Sequence, residues 1–136
     1  MMHKSMKFYS VLLTLLVSTG VFAQQQDPEE EAKKLYEAIQ EQVDKYANSL
    51  DLEDWQIFYV DSIFTHDYTA IQEEFNKMKK ARVSNIDLYA TVQDEWNENM
   101  YQAMQRVLND EQWTKYLKMG AAREKKARDK RAAKKK

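Results

Sequence analysis

Ile57, Val60, Phe64, Tyr68, Ile71, Phe75 and Met78 recur at spacings of 3, 4, 4, 3, 4 and 3 residues. That period keeps all seven apolar side chains on one face of an α-helix, whereas a strand would send alternate members to opposite faces. At about 1.5 Å per residue such a helix spans roughly 40 Å. A stripe of this length must be covered by other helices. A sheet partner is excluded by the rest of the chain, because 136 residues containing 2 Gly and 1 Pro cannot supply the turns of a sandwich, a barrel or a doubly wound sheet. The expected fold is all-α. It is an antiparallel hairpin of long amphipathic helices with additional helices, about four in the mature chain, followed by a frayed basic C-terminal tail.

The other helices follow from the same reading. Asp27-Pro28-Glu29-Glu30-Glu31 is a helix start: a capping acid, Pro at the first helical position, and acids facing the positive end of the dipole. Leu35, Ile39, Val43, Tyr46 and Leu50 then form a stripe, and this helix should end near Asn48–Leu50. Asp51 is the expected start of the long second helix. Ser84 and Asn85 cap a third, with Ile86, Tyr89, Val92, Trp96, Met100, Ala103 and Val107 as its stripe. Asn109-Asp110 opens a fourth, bearing Trp113, Tyr116 and Leu117, which Gly120 either ends or weakens.

Residues 1–23 read as a cleavable signal peptide. Lys4 and Lys7 precede an apolar run from Phe8 to Ala23, and Val21 with Ala23 gives the small-residue pattern that places the cut before Gln24. The run is too short for a comfortable membrane span. Export and the lack of any Cys suit a periplasm, with packing as the source of stability. An acidic helical domain, 24–119, and a basic tail, 120–136, would remain. Residues 24–116 hold 9 basic and 20 acidic side chains, a net of −11, and residues 117–136 hold 10 and 2, a net of +8. The tail cations are Arg123, Lys125, Lys126, Arg128, Lys130, Arg131, Lys134, Lys135 and Lys136. Such a run is either a solubilising tail or a catch for anionic partners.

Little in the chain supports catalysis. The Asp94-Glu95 and Glu73-Glu74 pairs read as solvated helix faces, and no nucleophile triad, phosphate loop or dinucleotide fingerprint is present. His66, beside Asp67 and near Asp61, cannot form a usual metal site alone. No enzyme, cofactor or metal is expected. Tyr36, Trp55, Tyr59 and Tyr101 lie off the main stripes. With Ile63, which extends the Trp55–Tyr59 row, they are candidates for an interaction surface. Equally, they could support the fourth helix or the tail.

One internal echo stands out. Leu52-Glu53-Asp54-Trp55-Gln56 and Leu108-Asn109-Asp110-Glu111-Gln112 share the form Leu-x-x-x-Gln, each at a helix start. Leu52, Gln56, Leu108, Asn109 and Gln112 are the residues that define it. The doubled element resembles the Spy/CpxP family of periplasmic proteins, whose mark is a paired Leu-Thr-x-x-Gln motif. The likeness covers about Glu30 to Leu117. The Thr is replaced by Glu53 and Asn109; Asn109 caps as Thr does, and Asp51 is expected to cap in place of Glu53. The resemblance implies a cradle-shaped dimer of helical hairpins that binds unfolded or aggregation-prone proteins without ATP, or one that damps an envelope-stress sensor. The His-rich segment of metal-binding branches is missing here. A scaffold docking one envelope partner, or a binder of anionic surfaces through the tail, is the alternative. Expected partners are a second copy, unfolded or acidic envelope proteins, and the periphery of an anionic membrane; nucleic acid is not expected, since the tail lacks stacking aromatics.

Overall fold

The computed structural model describes residues 27–135, so the expected signal peptide lies outside the described residues. The fold is all-α: α1 (Pro28–Ser49), α2 (Asp54–Lys80), α3 (Ile86–Val107), α4 (Asp110–Tyr116), a π-helical turn (Leu117–Ala121) and α5 (Ala122–Lys134). The described residues divide into two units, one ending at Ala38 and the other beginning at Ile39. In the first, α1 opens as its sequence dictates. Asp27 Oδ1 accepts the Glu29 N–H at 3.2 Å, and Glu29, Glu30 and Glu31 occupy the first turn.

In the second unit α2 and α3 form an antiparallel hairpin. α2 closes without a glycine. Arg82 takes the left-handed conformation (φ 59°), the Val83 N–H reaches back to the Met78 carbonyl at 2.9 Å, and the Arg82 N–H reaches Lys79 at 3.0 Å. These bonds satisfy the carbonyls that a helix end leaves open. Asn85 then caps α3, its Oδ1 accepting the Asp87 N–H at 3.0 Å. Across the hairpin Phe75 meets Tyr89 edge to face at 5.4 Å, and the Trp96 indole donates to Glu74 at 3.1 Å.

The predicted stripes supply most of the core; Met104, fully buried, is an exception, one position past Ala103 of the predicted stripe. Val60, Phe64 and Ile71 of α2 are buried with Met100 and Met104 of α3 and with Ile39, Val43, Tyr46 and Leu50. Tyr46 packs edge to face on Phe64 (5.7 Å) and Tyr116 (5.4 Å), tying the end of α1 to α2 and α4. Each fully buried aliphatic or aromatic side chain contributes about 1.5–3 kcal/mol.

Three expectations change. Asp51 does not start α2. It holds φ 51° in the link after α1, where the Leu52 N–H bonds the Ala47 carbonyl, and Glu53 is the N-cap. Ile86 is not a core residue; as the first residue of α3 it is 79% exposed. The basic segment is not frayed but helical through Lys134, with Arg128 buried. It docks on α3 through Lys125 and Arg131.

Candidate interaction site

The two Leu-x-x-x-Gln elements meet. α2 begins where α3 ends, so the hairpin brings residues 50–56 beside residues 107–112. Gln56 and Gln112 are buried there and bond each other reciprocally. Gln56 Nε2 donates to Gln112 Oε1 at 2.7 Å, and Gln112 Nε2 donates to Gln56 Oε1 at 3.1 Å. Each amide oxygen also accepts the N–H of its own cap residue, Glu53 at 2.9 Å and Asn109 at 3.0 Å. Each amide nitrogen donates once more across the junction, to Val107 O at 3.1 Å and to Leu50 O at 3.3 Å. Both helix starts are thus capping boxes, and Asn109 Oδ1 accepts the Gln112 N–H at 2.8 Å. Leu108 is buried and Leu52 half-buried beside this junction. Two buried amides use their full donor capacity, the condition under which a buried polar pair stabilises rather than costs.

The junction holds an aromatic cluster at the start of α2. The Trp55 indole donates to the Glu53 carboxylate. Trp55 lies edge to face with Tyr59 at 6.2 Å, and Phe58 with Tyr59 at 5.7 Å. The three rings are 52%, 67% and 52% exposed in chain order. Of the sequence candidates, Trp55 and Tyr59 lie in this cluster, whereas Ile63 is half-buried. Tyr36 is exposed and belongs to the first unit. Phe58 was not singled out by the stripe pattern; its spacing of three from Trp55 and one from Tyr59 is the signal that finds it.

Tyr101 sits elsewhere. It meets Trp113 edge to face at 5.0 Å, and Lys125 Nζ and the Arg128 guanidinium each lie 5.5 Å from its ring centroid. Above it α5 runs antiparallel to α3 in a register of paired charges. Lys125 Nζ bonds Glu98 at 2.7 and 2.9 Å, Arg128 reaches Glu98 at 3.4 Å, Arg131 grips Asp94 at 2.7 and 2.9 Å, and Lys135 donates to Thr91. Burial pushes the Glu98 carboxyl up, but the hydrogen bonds from Lys125 and Gln102 and the Lys125 and Arg128 charges bring it below its ordinary value. The Glu98 hydrogen bond raises Lys125, and the Asp94 bond raises Arg131. Arg123, Lys126, Lys130 and Lys134 are exposed, and Lys136 lies outside the described residues.

Gly120 makes this docking sterically feasible. Its φ of 128° is open to glycine and strained for other residues, and it breaks the helical course between α4 and α5. His66 shares a 2.8 Å contact with Asp67 and faces Trp96 at 6.0 Å. Among the described residues no group of three or more His, Cys, Asp or Glu side chains is placed to hold a metal, and no helix is long and apolar enough to cross a membrane.

The described chain is therefore an all-α protein with an amide-locked hairpin end, an exposed aromatic cluster and a docked basic helix. No family model, curated protein or solved structure matches it.

Proposed function

We propose that the chain is an exported, non-enzymatic helical protein of Spy/CpxP type that holds unfolded or aggregation-prone polypeptides without ATP. The observation that carries the reading is the Trp55–Phe58–Tyr59 cluster: three large rings more than half exposed on a helix whose other face is buried. Exposed aromatic groups of this kind mark interaction surfaces. Rings with polar tips also suit partners of varied sequence. The likeness to the family is supported by the joining of its two motif copies through Gln56 and Gln112, which gives both copies one structural task.

The test follows aggregation of several unrelated proteins by light scattering, with this chain in excess. Aggregation should slow for all of them. The Trp55→Ser/Phe58→Ser/Tyr59→Ser chain should lose that protection while keeping its melting temperature. Unchanged aggregation across all substrates sinks the chaperone reading. Protection of a single substrate assigns the cluster to one specific envelope partner instead.

A further inference from the structure

The cations of α5 are divided between two faces. Lys125, Arg128, Arg131 and Lys135 turn toward α3 and are consumed by Glu98, Asp94, Thr91 and the Tyr101 ring. Lys126, Lys130 and Lys134 follow at intervals of four residues on the opposite side, with Arg123 continuing the row. All four are exposed, and the three lysines hold no ion pair among the described residues. From residue 123 to residue 134 the row runs for about 16 Å at the helical rise. It contains no acid. Its flanking residues include Ala122 and Ala133, too small to anchor a protein partner or to enter a bilayer.

From this division we propose that the outward row of α5 docks the chain on an anionic membrane surface at headgroup level. The inward contacts order the helix before binding, so the row meets its target without the entropy cost of folding. A plane of anionic headgroups needs only aligned charge from its partner. A specific protein partner would instead need an aromatic or aliphatic anchor within the contact, and the row has none. The net −11 of residues 24–116 is repelled by the same surface, which leaves α5 as the segment that approaches it. This contact is independent of the aromatic cluster and of whatever that cluster holds.

The experiment sediments the full chain with vesicles of zwitterionic lipid alone, or with about one third anionic lipid, at low salt. The readout is the ratio of the two partition coefficients, in which any contribution of the apolar residues 8–23 cancels. The ratio should exceed unity for the wild-type chain. It should fall by about fivefold per cation removed, roughly 25-fold in Lys126→Gln/Lys130→Gln. Lys77→Gln/Lys80→Gln, with the same charge change on exposed positions at the end of α2, should keep the ratio nearly intact. It should collapse as the Debye length shrinks from about 10 Å at 0.1 M salt to about 3 Å at 1 M. Far-UV circular dichroism checks that both variants keep their helices. A wild-type ratio of unity at low salt overturns the proposal, as does equal loss in the two double variants. Binding of soluble poly-glutamate through Lys126 and Lys130, with vesicles left unbound, overturns it in favour of an acidic polypeptide.

Discussion

Replacing Gln56 by Ala should be among the most costly single substitutions outside the apolar core. The side chain makes four hydrogen bonds: two with Gln112, one from the Glu53 N–H and one to the Val107 carbonyl. At about 0.5–1.5 kcal/mol net each, their sum is roughly 2–6 kcal/mol. Gln112 keeps its bonds to Asn109 and Leu50, and water can reach the exposed Glu53 end, so the loss should fall at about 2–4 kcal/mol. Gln112→Ala should cost a similar amount, and more than Asn109→Ala, for which a lost cap is worth about 0.5–2 kcal/mol. The two glutamines share the reciprocal pair. The double variant should therefore be more stable than the summed single losses suggest, by about 1–3 kcal/mol, two net hydrogen bonds' worth. Urea unfolding followed by circular dichroism reads all four chains, and each single glutamine loss should move the midpoint by about 1–2 M. Additivity within about 0.5 kcal/mol, or a Gln112→Ala loss below that of Asn109→Ala, would refute the reciprocal junction.

Gly120→Ala should destabilise by about 1–3 kcal/mol, because φ 128° is strained for a residue with a Cβ; a midpoint equal to wild type means the turn does not need glycine. Docking of α5 should be pH-dependent with a defined sign. Glu98 is depressed, so its share of the docking is complete above its ordinary value of 4.5 and is lost as pH falls through the lowered value. Lys125 is raised, so its share is complete below 10.5 and is lost as pH rises through the raised value. The near-ultraviolet difference between wild type and Glu98→Gln, reporting on Tyr101 and Trp113, should persist at neutral pH and close in acid; a difference that survives full protonation removes Glu98 from the docking. Asp94→Asn should loosen the end of α5 more than its start, read as faster amide exchange beyond residue 128, whereas uniform exchange along α5 contradicts the paired register.

The helices were legible because their information is local. A 3.6-residue period and a capping residue can be read within a short window, and the buried set Val60, Phe64 and Ile71 is part of the predicted stripe. The junction was half legible. Both Leu-x-x-x-Gln copies were recognisable as helix entries, but read separately they gave no sign that Gln56 and Gln112 touch. The hairpin itself supplies the missing step. Helices of 27 and 22 residues joined by a short link return the end of the second to the start of the first. Two helix entries 56 residues apart thereby become neighbours. The choice of cap was not legible. Asp51 is the better capping residue by type, yet Glu53 caps because Gln56 must sit at the third helical position to reach Gln112. The tertiary partner overrode the local preference.

The basic segment shows the same override in its electrostatics. Alone, a helix of this length without an apolar stripe is marginal in water, which is why fraying was the natural expectation. A net-charge count predicts attraction to the acidic residues but carries no geometry. The geometry lies in the register. Lys125 over Glu98, Arg131 over Asp94 and Lys135 over Thr91 step down α3 as they step up α5. Steps of six and four residues along the basic segment thus meet steps of four and three along α3, the steps of three and four being close to one helical turn. Exposed ion pairs are individually weak, about 0–1 kcal/mol, so charge alone does not explain a buried Arg128. The Tyr101 ring beneath Lys125 and Arg128 contributes apolar contact and cation–π attraction, and Gly120 turns the chain so that all three contacts form together. Tyr101, a candidate for binding something outside the chain, is instead the floor on which the chain's own basic helix rests. The outward lysines are left to face the solvent because the inward ones are already engaged.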